Sequence, residues 1–492
     1  MKRFLFFFLL FVSCSGYSQS RMLSPADMQR DLAILYAAWT TLHPGIYRYN
    51  TPEGLEARFN AVRARTAQPL DEKKFYLLLS QLAETVHCGH TYLNPLNLPK
   101  AAQARLLPDR VIPLFFVLDQ KRHLVITHSV DTARLRAGDR IMAINGVPCG
   151  RIIDSLLTVS RSDGRNAIGK KLNNCNETPD EANGYSLFDI YFPLFFPHTD
   201  TVLTIMILPF SQRVPRRVAV TTLSLAARME RYEQRYGPVP TGEKTFVYRM
   251  VCPSVAYMKF GTFAFWNSTF DPAAYVDSVF ADLLGRGGVR DLIIDIRGNE
   301  GGDNTGNRIL SYIVKSKTGC VDPDRPCYRY LAIDSSLLPF LSTWDPSFKK
   351  PKDPSLFFRN EIGLYEHRKA DPCDFIVPRP RTFRGRVWLL TDARNSSAGF
   401  EMARNFRAAG RGRIVGEETG GSQQGINGGE FFFLTLPHSQ MEIDLPLIFN
   451  DHPGKPDRGI APDVRASVTQ QSIARGRDRQ LDVVMEEIGR AR

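Results

Sequence analysis

Apolar positions recur every three to four residues from Ser24 to about residue 105. "SPADMQRDLAILYAAWTTL" reads as a helix with Ser24 as its cap and Pro25 at its first position. "DEKKFYLLLSQLAETV" reads as a second helix, ended where Gly89 interrupts "HCGHTYL", with a short strand expected after it. From about residue 110 the pattern changes to short apolar runs: "VIPLFFVLD", "HLVITHSV", "RIMAI", "TVLTIMIL" and "RRVAVTTL". These predict strands, with a tight turn at Asn145–Gly146 and a helix after it. From Phe246 strand and helix patterns alternate, through "SVAYMKFGTF", "DLIIDI", "RVWLLTD" and "RIVGEE" with helical runs between them. Repeated β–α units predict a largely parallel sheet. Residues 226–245 are charged, contain Pro238 and Pro240, and read as a linker. The loop-rich stretch from 318 to 384 reads as a lid or flap.

A chain of 492 residues exceeds one compact core, so two or three domains are expected. Hydrophobic content of 43% and charged content of 23% fit a globular protein. No internal apolar run approaches the roughly 20 residues that span a bilayer. Residues 1–20, "MKRFLFFFLLFVSCSGYSQS", carry Lys2 and Arg3, an apolar run and a small polar end, the pattern of a secretory signal peptide. Two processing alternatives stand: lipid attachment at Cys14, or cleavage near Gln19. The expected location is the periplasm or cell envelope. The net charge of +12 is scattered along the chain, which argues against a nucleic-acid-binding arm. The cysteines form no CxxC pair and no zinc spacing. Cys320 and Cys327 flank a Pro-containing loop, where a local disulfide is expected in an exported protein. His87 and His90 are three apart but lack an HExxH pattern, so no metal is implied, and no organic cofactor either.

Two strand ends carry candidate chemistry. "DLIIDIRGNEGGDN" follows a buried strand with Gly298, Gly301 and Gly302, which let backbone N–H groups approach a ligand. The spacing fits neither a dinucleotide fingerprint nor a P-loop, and Asp303 would repel a phosphate. "VWLLTDARNSSAGFEMARNF" places Ser396 and Ser397 between a strand and a helix. A serine there caps a helix. It also meets the positive end of the helix dipole, with the next N–H aimed at a developing oxyanion.

The segment around Gly138, Asp139, Ile141, Ile144, Asn145 and Gly146 resembles a PDZ domain, a module that binds peptides by strand addition. "DLIIDIRGNEGG", "SSAGFEMA", "GRIVGEETGG" and "DRGIAPDV" occur in that order. With the PDZ signature, this series resembles the tail-specific or C-terminal processing serine peptidases and their tricorn-type relatives. The resemblance implies an α/β multidomain chain: a helical segment at 21–105, a PDZ-like domain at 106–225 and a crotonase-like α/β catalytic core at 246–492. It implies Ser397 as nucleophile and Ser396 as its structural neighbour. The N–H of Ala398 and that of Gly301 or Gly302 would form the oxyanion hole. Family members often carry an acid three residues after the nucleophile; Glu401 stands four after. One branch uses a lysine about 25 residues after the serine, but Ser422 stands there and no lysine occurs before Lys455. The tricorn-type branch takes a histidine from the N-terminal part of the chain. "HCGHTYL" matches its D-G-H-T segment, with Cys88 where an acid often sits. His90 is thereby the candidate general base, and His87 a competitor at a helix end. Asp457 is the candidate third group, with Glu418 and Asp444 as alternatives.

The leading expectation is an exported serine endopeptidase acting on proteins or peptides. It has no nucleic-acid partner and meets a membrane only through a lipid anchor at Cys14. The alternatives are a non-catalytic peptide- or ligand-binding protein on the same fold, and an acyl-thioester enzyme of the crotonase type. The signal peptide and the PDZ-like segment disfavour the last.

Overall fold

A computed structural model describes residues 21–490, apart from 132–133, 166, 180–183, 199–200, 267, 320–325 and 370–374. The expected signal peptide, Cys14 and Cys320 lie outside the described residues. Among the described residues no helix is long and apolar enough to cross a membrane.

The N-terminal segment is helical: α1 (Pro25–Leu42), α2 (Pro52–Arg65) and α3 (Glu72–Glu84). Ser24 Oγ accepts the Asp27 N–H at 3.1 Å and caps α1. Met28, Leu32, Leu35, Trp39 and Leu42 form the buried stripe of α1. The expected strands of the next segment pair into one antiparallel sheet: β1 (Leu114–Leu118), β2 (Leu124–Ser129), β3 (Arg140–Ile144), β4 (Val202–Leu208) and β5 (Arg216–Thr221). Asn145 and Gly146 both take positive φ, 47° and 78°, as a type I′ turn requires. Helix α4 (Cys149–Leu157) follows. The polar insertion before β4 folds inward and carries α5 (Ile168–Asn173) and α6 (Leu187–Phe195).

The stretch expected as a linker begins with α7 (Leu225–Tyr236). Arg228 on this helix is buried, with its guanidinium on Asp189 at 2.7 Å and 3.1 Å and on Glu177 at 3.0 Å. A charge-rich helix is anchored here because its one inward cation meets two buried carboxylates.

The C-terminal region contains β6 (Phe246–Cys252), β7 (Val255–Phe260), α8 (Pro272–Gly285), β8 (Asp291–Asp295), α9 (Thr305–Ser311), β9 (Arg386–Thr391), α10 (Ser397–Ala408) and β10 (Arg413–Gly416). After them come β11 (Asn427–Thr435), β12 (Glu442–Asn450), β13 (Val464–Arg465) and the helix α11 (Arg479–Arg490). The main sheet runs β13-β10-β9-β8-β7-β6, parallel throughout except for the β6–β7 pair. β8 and β9 are neighbours in register, Asp295 opposite Leu390. The loops after their carboxyl ends therefore emerge side by side, where open α/β sheets place ligands.

β11 and β12 form the spine of a further sheet. The stretch expected as a lid supplies its short flanking strands, Pro326–Tyr328, Leu341–Ser342, Phe357–Arg359 and Tyr365–His367. Asp444 N–H bonds Tyr92 O at 3.1 Å and Asn94 N–H bonds Glu442 O at 3.1 Å, so the chain after His90 lies along β12. One hydrophobic cluster joins the helical segment, the first sheet and this spine; a second lies between the main sheet and its helices.

Candidate active site

Ser397 opens α10 with φ of +48°, the left-handed region that a non-glycine residue enters at a cost. Ser396 holds the N-cap position but makes no side-chain cap bond; its Oγ lies 3.4 Å from Glu300 O. Two buried asparagines hold this turn in place. Asn395 Oδ1 accepts the Asp392 N–H at 2.9 Å, its Nδ2 donates to Asn299 O at 3.1 Å, and its carbonyl accepts the Gly420 N–H at 2.7 Å. Asn299 Nδ2 donates to Phe260 O at 3.0 Å, and its Oδ1 accepts the Gly301 N–H at 2.8 Å. Both side chains are fully buried, and such saturated polar networks rigidify what they join.

A Cβ on Gly301 would lie 2.8 Å from both Ser397 Cβ and Ala398 N, so the glycine turn touches the serine turn directly. The Gly301 N–H is committed to Asn299. Of the two expected glycine donors, that leaves Gly302, alongside the Ala398 N–H on the first turn of α10. Gly302 is held by a bridge in which Phe263 N–H donates to Gly301 O at 3.0 Å and Asp303 N–H to Phe263 O at 2.8 Å.

Lys170, buried on α5, reaches this place from the insertion. Its Nζ pairs with Glu300 and donates to Arg394 O at 3.2 Å. Partial desolvation pushes the half-exposed Glu300 carboxyl up, but Lys170, Arg394 and Arg161 outweigh it and hold it below the usual carboxylate range. Lys170 thus ties together the residue before Gly301 and a residue of the serine turn.

His90 sits in a turn stabilised from below by His43. Gly45 N–H donates to His43 Nδ1 at 3.0 Å, so the other nitrogen carries the proton and donates to Thr91 Oγ1 at 2.8 Å. Burial lowers the His43 pKa to about 3 and keeps that ring neutral. Asp163, buried in the insertion, accepts the Gly89 N–H at 2.9 Å. Burial lowers the pKa of His90, and the charge of Asp163 opposes it. His90 Nδ1 is buried without a hydrogen-bond partner among the described residues, and the ring packs 5.6 Å from Phe431. A neutral imidazole with an unoccupied nitrogen is the form a general base needs.

The three carboxylates singled out in the sequence have other partners. Asp457 accepts Tyr49 Oη–H at 2.8 Å, Ser422 Oγ–H at 2.9 Å and Arg165 N–H at 3.1 Å, joining the helical segment, the insertion and the core. Glu418 pairs with Arg458 at 2.6 Å. Asp444 lies beside Tyr92, with its pKa pushed up to about 7 by burial against the pull of Arg161. Glu401 pairs with Arg404. His87 lies past the end of α3, Nδ1 3.6 Å from Glu84 and edge-on to Tyr49. Sequence reasoning missed Asp163 and Lys170. Their only signal was an Asp–Gly turn and a Lys pair in a polar insertion, which nothing local distinguishes from a solvated loop.

Residues 254–465 match the family model "Peptidase family S41". Comparison with curated proteins gives no match. Among solved structures, mature CPAF complexed with lactacystin aligns over 94% of this chain and 97% of its own, at 12% identity and TM-score 0.62. Mature CPAF aligns over 92% and 94% at 13% identity and TM-score 0.61, and a CPAF mutant over the same shares at 13% and 0.63. At such identities the likeness is one of fold. Over residues 254–465 the chain is therefore similar to peptidase family S41, a match that supports a serine-type peptidase.

Proposed function

We propose that the protein is an exported serine endopeptidase that hydrolyses peptide bonds in proteins or peptides, with Ser397 as nucleophile and His90 as general base. His90 takes the Ser397 hydroxyl proton as Oγ attacks the scissile carbonyl carbon. The oxyanion is received by the N–H groups of Ala398 and Gly302. His90 returns the proton to the leaving amine, and a water then releases the acyl group from Ser397 by the same route. Asp163 stabilises the imidazolium that forms. The antiparallel sheet β1–β5, with its Asn145–Gly146 turn and α4, acts as a PDZ-like peptide holder. The N-terminal apolar run directs export.

The observation that carries this reading is the left-handed Ser397 at the head of α10, held against Gly301. A serine-reactive fluorophosphonate tests it. Labelling of the wild type that vanishes in Ser397→Ala supports the enzyme; no labelling of folded wild type favours a peptide-binding protein instead. Peptide hydrolysis is expected to be lost in His90→Ala and retained in His87→Ala. The opposite result moves the base to His87.

A further inference from the structure

The opposite end of the main sheet also carries a concave surface. At the amino ends of β8, β9 and β10 lies an open cleft of about 1050 Å³, walled by the chain around Arg290, Arg386 and Arg413 and by the end of α11. The serine turn follows the carboxyl end of β9. That strand is 6 residues long, so roughly 20 Å separates the cleft from Ser397. A small ligand in the cleft does not reach the serine, and the cleft is a site apart from the one described above.

Its lining is cationic. Arg386 is paired with the buried Asp291 at 2.7 Å, and Arg413 and Arg490 share Glu487 at 2.6 Å and 2.8 Å. Arg290, Lys315, Arg384 and Arg411 line the cleft as well, and no carboxylate comes within ion-pair distance of them among the described residues. Arg290, Lys315 and Arg384 are exposed, and by themselves would be ordinary solvated charges. Arg411 is not: it is only 8% exposed. A guanidinium has five N–H donors. In Arg411, Nε donates to Ile313 O at 2.5 Å, and Nη2 donates to Phe383 O and Gly385 O at 2.7 Å each. Nη1 has no acceptor among the described residues, so its N–H groups are left for the cleft that the residue lines. Three carbonyls therefore fix the guanidinium in place, while no anion meets its charge. Burial disfavours that charge, and Arg384 repels it further. A buried cation without a counter-ion is costly, and an anion in the cleft removes that cost. One carboxylate brings a single charge to this group of cations. A phosphate monoester brings about −1.5 to −2 and three strong acceptor oxygens, and the planar fork of arginine pairs with it bidentately. The cleft is many times the roughly 30 Å³ share of one water, so it has room for more than one phosphate group.

We propose that this cleft binds a ligand presenting phosphate groups, either a soluble diphosphate or the headgroup of a phosphorylated lipid, with Arg411, Arg384 and Lys315 as the cations that hold it. The proposal does not depend on the reading of Ser397 as the nucleophile.

The first arm of the test is isothermal titration calorimetry of the full chain with inorganic pyrophosphate at physiological ionic strength, with tetra-D-glutamate as the acidic-peptide comparison. Pyrophosphate is expected to bind at one saturable site, at least about tenfold more tightly than tetra-D-glutamate, as one additional charge-assisted hydrogen bond gives. Arg411→Met also strips three carbonyls of their donor and risks the fold, so the deciding variant is the double substitution Lys315→Gln, Arg384→Gln. Both of those side chains are exposed and without an ion-pair partner among the described residues, so the variant is expected to keep the wild-type circular dichroism spectrum and to bind pyrophosphate at least about tenfold more weakly. The second arm is flotation with vesicles of equal parts phosphatidylcholine and phosphatidic acid, against phosphatidylcholine alone. Flotation with the acidic vesicles that pyrophosphate releases assigns the site to a lipid headgroup; pyrophosphate binding with no flotation that it releases assigns the site to a soluble ligand. No saturable binding of pyrophosphate overturns the proposal. A preference over tetra-D-glutamate below tenfold does so too, since the cleft would then be a docking place for acidic peptide, and so does an affinity that the double variant leaves unchanged.

Discussion

Replacing Ser397 by Gly and by Ala separates an ordinary helix start from a strained nucleophile turn. In an exposed helix interior, Gly is less stable than Ala by about 1 kcal/mol. At φ of +48° the order reverses. The left-handed conformation costs a residue with a Cβ about 1–2 kcal/mol, a cost that Ser397→Ala keeps and Ser397→Gly removes. Against that gain stands the larger chain entropy that Gly loses on folding, about 0.5–1 kcal/mol. The difference leaves Ser397→Gly more stable than Ser397→Ala by roughly 0–1.5 kcal/mol. For a domain of about 200 residues, 1 kcal/mol moves the thermal midpoint by about 2–4 °C. Differential scanning calorimetry of the two variants reads this directly. An Ala variant that melts above the Gly variant would refute the strained turn, and with it the main reason for choosing this serine over Ser396.

Other expectations follow from the same geometry. Burial lowers the pKa of His90, so on the proposal that its neutral ring is the general base, activity is expected to be lost as pH falls through a value below the usual 6.5; a kcat/KM profile whose acid limb lies above 6.5 contradicts this. Asp163→Asn removes the charge that opposes the lowering, so the acid limb moves to still lower pH while the rate falls. Gly301→Ala places a Cβ 2.8 Å from Ser397 Cβ and Ala398 N, at a φ of 108°; kcat is expected to fall by at least about 100-fold, the cost of losing an oxyanion contact, and a loss under tenfold counts against the site. Arg228→Met leaves Asp189 and Glu177 buried without their cation and is expected to cost about 3–5 kcal/mol in chemical denaturation, against little or nothing if this helix is a mere linker.

What local pattern encodes was legible in the chain. The alternation of apolar strands and amphipathic helices after Phe246 is written in neighbouring residues, and it is realised as the parallel sheet β7-β8-β9-β10-β13. The two loops beside Ser397 were visible because glycines and small residues follow buried strands. Their juxtaposition comes from the pairing of β8 with β9. Contacts that join distant segments leave no such trace. Asp163 meets Gly89 across 74 positions and Lys170 meets Glu300 across 130, and each reads locally as one more polar residue of a charged insertion. Arg228 misled for the same reason, since a buried cation and a solvated one look alike until their partners are known. Asp457 was singled out by its place in a motif, yet its oxygens are taken by Tyr49, Ser422 and Arg165.

The proposed pairing of Ser397 with His90 is tested most directly by the rate at which a fluorophosphonate acylates the serine. That reaction needs the hydroxyl proton removed but needs no peptide to be bound or positioned. His90→Ala is expected to slow acylation by about 100- to 10,000-fold, the usual contribution of a general base, while His87→Ala stays near the wild-type rate. A His90→Ala variant that is acylated within a few-fold of the wild type would show that another group takes the proton from Ser397.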